Sequence, residues 1–306
     1  MSYQDYYALD REPFSNAPDA RFYYNSDQHG QALLRLMYAV DSNKGLAVLV
    51  GGVGTGKTTL ARRMLDNLPE DRYESSLLVM VHSGITPEWI LTRIATQLGI
   101  AEPAGDRLKL LKQLYTRLLE IEEEGRRAVV LIDEAQMLQS RELMEEFRGL
   151  LNLEVPGKKL LNIVFFGLPE LEESLALDEP LAQRVAVKFH LKSMTVETTT
   201  SYIKHRLQVA GAKQLLYEEE VLPLIHRYAG GVPRLINTIC DNCLFEAYLC
   251  KMKKIDNRIA HNVAGDLGLL QQPVSDLPQD KVKDELTEIE TMLDRLEQKQ
   301  SSDFLT

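Results

Sequence analysis

The sequence predicts a parallel α/β sheet covered by helices and followed by a small all-helical domain. Three observations carry this. Short apolar runs bounded by turn residues alternate with helical patterns up to about residue 192, after which strands cease. The runs are unbroken rather than alternating, as strands buried on both faces require. The first of them leads into LVGGVGTGKTTL, in which Gly51, Gly56, Lys57 and Thr58 fit G-x-x-x-x-G-K-[ST], the loop that wraps phosphates between a strand and a helix.

Taken in order, residues 1–27 are rich in Tyr, Pro and Asp and read as an extended leader. A helix follows over Gln28–Val40, with Ala32, Leu33, Leu36, Met37 and Val40 at helical spacing. The expected strands are Leu46–Val50, Leu77–Val81, Ala128–Ile132 and Ile163–Phe166, with a last short one after Arg184. Between them lie helices over Thr58–Leu68, Pro87–Leu98, Leu108–Glu124 and Arg141–Leu153. Further helices are expected over Val196–Val209, Glu218–Tyr228, Pro233–Leu249 and near Ile255–Ala264. The domains are therefore placed at 1–45 (leader and helix), 46–192 (α/β), 193–268 (helical) and 269–306. In the last, QQPVSDLPQD reads as a linker. Val282, Leu286, Ile289, Leu293 and Leu296 then form a short coiled-coil seam, either a partner-binding helix or a frayed terminal one.

The 306 residues suffice for a sizeable core. With 35 basic and 45 acidic residues the net charge is -10, so no global positive field draws the chain to phosphate backbones or anionic lipid. No secretory leader and no run of eighteen apolar residues is apparent, and a cytoplasmic location without direct membrane insertion is expected. Cys240, Cys243 and Cys250 fall on one face of an expected helix with no second ligand pair, and read as small buried hydrophobes.

The phosphate loop, Gly51, Gly52, Val53, Gly54, Thr55, Gly56, Lys57, Thr58 and Thr59, is expected to bind ATP. Lys57 is assigned to the β- and γ-phosphates and Thr58 to Mg²⁺. The later run AVVLIDEAQ delivers Asp133 and Glu134 at the carboxyl end of a buried strand, where open α/β sheets hold their ligands. Successive strand residues point opposite ways, so Asp133 can hold the metal while Glu134 orients the attacking water. Hydrolysis also needs cationic charge at the transition state, for which Arg184, before the last strand, and Arg234, in the first turn of a helix opened by Pro233, qualify. His82 reads as a satisfied buried histidine; alternatively, His82 or Ser83 couples partner binding to Glu134.

Together GGVGTGKTTL, VVLIDEAQ, GLPEL, LAQRV and GGVPRLIN, with the leader REPFSNAPDARFYYNSDQHGQAL, resemble the AAA+ ATPases of the general secretion pathway protein A (ExeA-like) family over roughly residues 3–265. The resemblance implies a P-loop sheet of order 5-1-4-3-2, ATP at the junction of sheet and helical lid, and a ring or filament of like subunits. It also implies that Arg184 enters the neighbouring subunit's site as a finger, and that Arg234 acts from the lid as sensor 2. One position departs: the family places a polar residue after the fourth strand, where this chain has Leu168, which cannot hydrogen-bond a phosphate through its side chain. The expected role is in assembly of a secretion, pilus or polysaccharide export machine, peripheral to the inner membrane through a protein partner. The alternatives are a DNA-bound regulator of the transposition type, for which Lys251, Lys253, Lys254 and Arg258 offer a basic stretch, and a scaffold that binds ATP with little turnover.

Overall fold

The computed structural model describes residues 2–17, 19–82 and 84–271. The expected linker, the seam at 282–296 and Ser83 lie outside them. The chain divides into two units at Val263 and Ala264, and the first holds everything discussed below.

Its centre is a five-stranded parallel sheet built from β1 (Leu46–Gly51), β2 (Tyr73–Val79), β3 (Arg127–Asp133), β6 (Leu161–Gly167) and β7 (Val185–Leu191), in the order β2-β3-β6-β1-β7. A two-residue antiparallel pair, β4 (Glu154–Val155) and β5 (Lys158–Lys159), forms a hairpin outside it. Numbering only the five sheet strands gives 5-1-4-3-2, as the resemblance implied. The three central strands are buried almost without exception, whereas β7 at one edge alternates half-buried and exposed residues.

Two apolar layers sandwich the sheet. On one face Val48, Val130, Ile132, Ile163 and Phe165 pack beneath the helices Pro87–Gln97, Arg107–Glu123 and Arg141–Leu150. On the other, Ala47, Leu49, Val129, Leu131 and Phe166 meet Leu36 and Val40 of the helix Asp27–Asp41 and Leu60 and Met64 of the helix Lys57–Asp66. Burying one such leucine contributes about 2 kcal/mol, and the doubly covered strands collect this on both faces. Beyond the sheet, Val196–Val209, Val221–Ala229 and Pro233–Leu249 pack on one another around Ile203, Ile225 and Ile239.

Four expectations need correction. The second strand starts four residues earlier than its apolar run and ends at Val79; Glu74, Ser75 and Ser76 pair in register with Ala128, Val129 and Val130 because an edge strand tolerates polar residues, and Val81 beyond it is 78% exposed. His82 is exposed, with its ring edge-on to Trp89, and not a buried satisfied histidine. Cys240 and Cys243 are buried, and burial pushes the Cys243 thiol up to about 12, but Cys250 caps the helix end and is exposed. The leader is not simply extended: Tyr3–Tyr7 form a helical turn closed by a Ser2–Asp5 capping box, and Phe14 is buried edge-on against Tyr217.

Candidate functional site

At the carboxyl end of β1 the backbone must turn sharply, and glycines permit it. Gly54 and Gly56 have φ of +75° and +102°, in the left-handed region that favours glycine. Space is equally restrictive: a Cβ on Gly54 would lie 2.8 Å from Cβ of Arg234, and one on Gly56 would lie 3.0 Å from Nε2 of His29. His29 supports the loop from behind, its Nε2 3.2 Å from the Thr55 carbonyl and its Nδ1 2.6 Å from the Ser26 hydroxyl. Because a carbonyl can only accept, Nε2 carries the proton and Nδ1 accepts from Ser26. Burial lowers the His29 pKa, against the opposing bond to Thr55.

The helix that follows, Lys57–Asp66, has no side-chain cap on its first N–H groups. The helices beginning at Asp27, Pro87, Arg107, Arg141 and Val196 are capped by a Ser, Thr or Asp side chain, whereas those beginning at Leu171, Val221 and Pro233 share the lack of a cap. An uncapped N-terminus opening on a cleft offers its donors and its positive end to an anion. Lys57 is 6% exposed, and its ammonium donates to the Gly52 carbonyl at 2.9 Å. Burial lowers its pKa, opposed by Glu134, Asp133 and Glu170.

β3 delivers the carboxylates. Asp133 is 1% exposed; its Oδ1 accepts the Glu134 N–H at 3.0 Å, and its Oδ2 is buried with no hydrogen-bond partner among the described residues. Burial raises its pKa, with the neighbouring Thr58 hydroxyl and the Glu134 N–H opposing. A buried carboxylate oxygen without a donor, beside a threonine hydroxyl, is a hard oxygen pair suited to a divalent cation such as Mg²⁺. Glu134 leaves the strand at φ 55°, ψ 36°, a left-handed conformation uncommon for a non-glycine residue. Its side chain lines the cleft. Gln136 accepts the Leu168 N–H at Oε1, 3.0 Å away, and donates from Nε2 to Glu134 Oε2 at 2.6 Å.

Val53 to Thr59, Glu134, Leu168 and Arg234 line a cavity of about 410 Å³ together with residues of the leader and the helical layer. That volume suits a small-molecule ligand. Arg234 is exposed to it, and its backbone N–H bonds the Gly54 carbonyl at 3.3 Å. Ser15, Asn16, Tyr24, Tyr202 and Asn237 line it as well. The leader is held there by Arg206, which is 5% exposed: Nε donates to Pro13 O at 2.5 Å, Nη2 to Ser15 O at 3.0 Å and Nη1 to the Tyr202 hydroxyl at 2.8 Å. The Tyr202 hydroxyl passes the chain on to Asn237 at 2.8 Å, and Asn237 to Asn16 at 3.1 Å.

The structure thus brings Gly51–Thr59, Asp133, Glu134 and Arg234 to one place and leaves Arg184 elsewhere. Arg184 precedes β7 at the end of the sheet opposite the phosphate loop, since Val185 pairs with Leu46 and Leu191 with Gly51. Five residues of strand separate the two by roughly 15–20 Å. Its Nη1 donates to Asn152 Oδ1 at 2.6 Å and to the Arg148 carbonyl at 3.3 Å. Sequence reasoning missed His29, Gln136, Arg206 and Asn237. His29, Gln136 and Asn237 lie within DQHGQAL, VVLIDEAQ and GGVPRLIN, so their motifs were visible although their contacts were not; Arg206 lies in none of them.

A five-stranded 5-1-4-3-2 sheet with this loop at its switch point, and helices closing over the loop, is the architecture of the AAA+ class of P-loop proteins. The AAA domain family matches residues 40–175. The chain is 37% identical over 276 residues to general secretion pathway protein A of Aeromonas hydrophila, across 89% of its own length and 48% of that protein's. It belongs to this branch of the AAA+ ATPases, and spans about half the length of that relative. Among solved structures, Cdc6p of Pyrobaculum aerophilum superposes with a TM-score of 0.67 at 19% identity, covering 88% of this chain and 75% of the other. The ORC2 protein of Aeropyrum pernix, in ADPNP–ADP complexes, gives 0.61 at 16% identity, covering 84% and 71%. At such identities the likeness is one of fold.

Proposed function

We propose that the chain hydrolyses ATP in an oligomer, and that turnover serves the assembly of a membrane-associated export machine. The observation that carries the chemistry is the convergence of an uncapped helix N-terminus, the Lys57 ammonium and the Glu134 carboxylate on one cleft, with a buried Asp133 oxygen lacking a donor beside Thr58. The loop N–H groups from Gly54 to Thr59 bind the phosphates. Lys57, which has two donors beyond the one given to Gly52, neutralises the β- and γ-phosphates. Thr58 and Asp133 are the residues that would hold Mg²⁺, whose charge spreads over the phosphate oxygens. Glu134 orients and partly deprotonates the attacking water. Arg234 adds positive charge from the helical layer, and Arg184 supplies the remainder to the next subunit's cleft.

The relative's name supports the placement in secretion. Among the described residues no helix is long and apolar enough to cross a membrane; the proposed attachment is through a protein partner. Leu168 favours one second reading, an ATP-gated scaffold of slow turnover, because its side chain lines the cleft where a polar group would be useful. The test is phosphate release with Mg²⁺–ATP. Lys57→Ala is expected to lose nucleotide binding, and Glu134→Gln to keep it while turnover falls about 10²-fold or more. Wild-type protein that retains ATP without releasing phosphate would leave the scaffold standing and remove the hydrolase.

A further inference from the structure

The reading of Glu134 as the water-orienting base leaves open what holds it. A half-buried glutamate side chain with room beside it can still sample several rotamers, and a base that wanders by an ångström loses much of its effect. Glu134 also follows a left-handed backbone step, so the strand does not extend to guide it. The structure supplies one side-chain hydrogen bond to its carboxylate among the described residues, from Gln136.

The orientation of that amide follows from its partners. A backbone N–H can only donate, so the group facing Leu168 N is the Gln136 oxygen, and the NH₂ must then face Glu134. Gln136 is 5% exposed, so the alternative of solvation is closed to it. The space it occupies is kept by a glycine: a Cβ on Gly167 would lie 3.2 Å from Gln136 Oε1 and 2.8 Å from Leu171 Cδ2. One end of the amide is therefore fixed to the carboxyl end of β6, and the other to the carboxylate that β3 delivers.

We propose that Gln136 is the positioning residue of the ATPase site, clamping the Glu134 carboxylate through an amide anchored on the Leu168 main chain. This rests on the proposed role of Glu134. It also gives Leu168 a function independent of its side chain. β6 is joined to the base through a backbone N–H, so a leucine there leaves the connection intact. Any shift of the β6 end relative to β3 is then transmitted to Glu134 through two hydrogen bonds.

The test compares the full-length wild type with Gln136→Ala, Gln136→Glu and Gln136→Asn. Losing a hydrogen bond to a charged group at this position is expected to lower kcat about 10- to 100-fold, with KM and the affinity for a fluorescent ATP analogue changed less than about twofold. Gln136→Glu keeps the length but replaces the donor by a like charge and is expected to fall at least as far; Gln136→Asn is too short to span both partners and should not rescue. Two further measurements separate positioning from folding. In a Glu134→Gln background, Gln136→Ala should cost no further activity, because its target is already lost. The amide of Leu168 should exchange faster with solvent in Gln136→Ala, while thermal unfolding moves little. Full activity in Gln136→Ala, a rise in kcat, or a loss that multiplies with Glu134→Gln would overturn the proposal. A wild type that turns over no ATP would instead overturn the function on which it rests.

Discussion

A single imidazole sets the conditions under which the phosphate loop keeps its shape. His29 is neutral in the folded chain, donating from Nε2 to Thr55 and accepting at Nδ1 from Ser26, and burial holds its pKa below the ordinary value of 6.5. Protonation would place a second donor against the Ser26 hydroxyl and a charge in an apolar setting. The sign follows directly: a group with a depressed folded pKa contributes stability above its unfolded pKa and loses it as pH falls through the depressed value. Stability should therefore decline below about pH 6.5. His226 shares the direction of shift, so wild type alone is not diagnostic. Thermal unfolding at pH 7.5 and 5.5 should show a smaller difference in His29→Asn than in wild type. An equal difference would mean that another group governs the acid limb.

At the scale of elements, legibility followed burial. β1, β3 and β6 are covered on both faces, and each showed as an apolar run in the sequence close to its final position. β2 was displaced because three of its seven residues, Glu74, Ser75 and Ser76, are polar, and the alternating β7 was expected only as a short strand after Arg184; on an edge, pairing partners rather than hydrophobicity decide where a strand begins. The phosphate loop and the carboxylate pair were readable because their spacing is dictated by local backbone chemistry. Arg206 was not, because its partners Pro13 and Ser15 lie some two hundred residues away and no periodicity marks a long-range guanidinium contact. Removing it leaves two leader carbonyls without donors and strips the Phe22 ring of the cation 4.8 Å above it. Arg206→Ala is expected to cost about 3 kcal/mol, read as a fall in the thermal midpoint of roughly 6–12 °C, with faster proteolysis of the first twenty residues. Arg206→Lys should recover less than half, since an ammonium cannot reproduce the planar fork.

For the whole molecule, the position of Arg184 is the decisive observation. In its own subunit it is tethered to Asn152 and the Arg148 carbonyl, at the wrong end of the sheet for the nearest cleft. If it completes a neighbour's site, Arg184→Ala and Glu134→Gln subunits, each nearly inactive, should regain activity when mixed, because a cleft from the first can meet an arginine from the second. No recovery at any ratio would count against action between subunits. The basic stretch weighed for DNA is partly engaged already: the Lys253 ammonium lies 3.6 Å from the Tyr6 ring centroid. The leader has a larger consequence. Because Asn16 is bound to Asn237, and Pro13 and Ser15 to Arg206, the part of the cavity lining that the leader supplies is tied to the helices Val196–Val209 and Pro233–Leu249. Any tilt of those helices would therefore draw the leader with it and reshape both sides of the pocket at once, instead of sliding past a fixed rim.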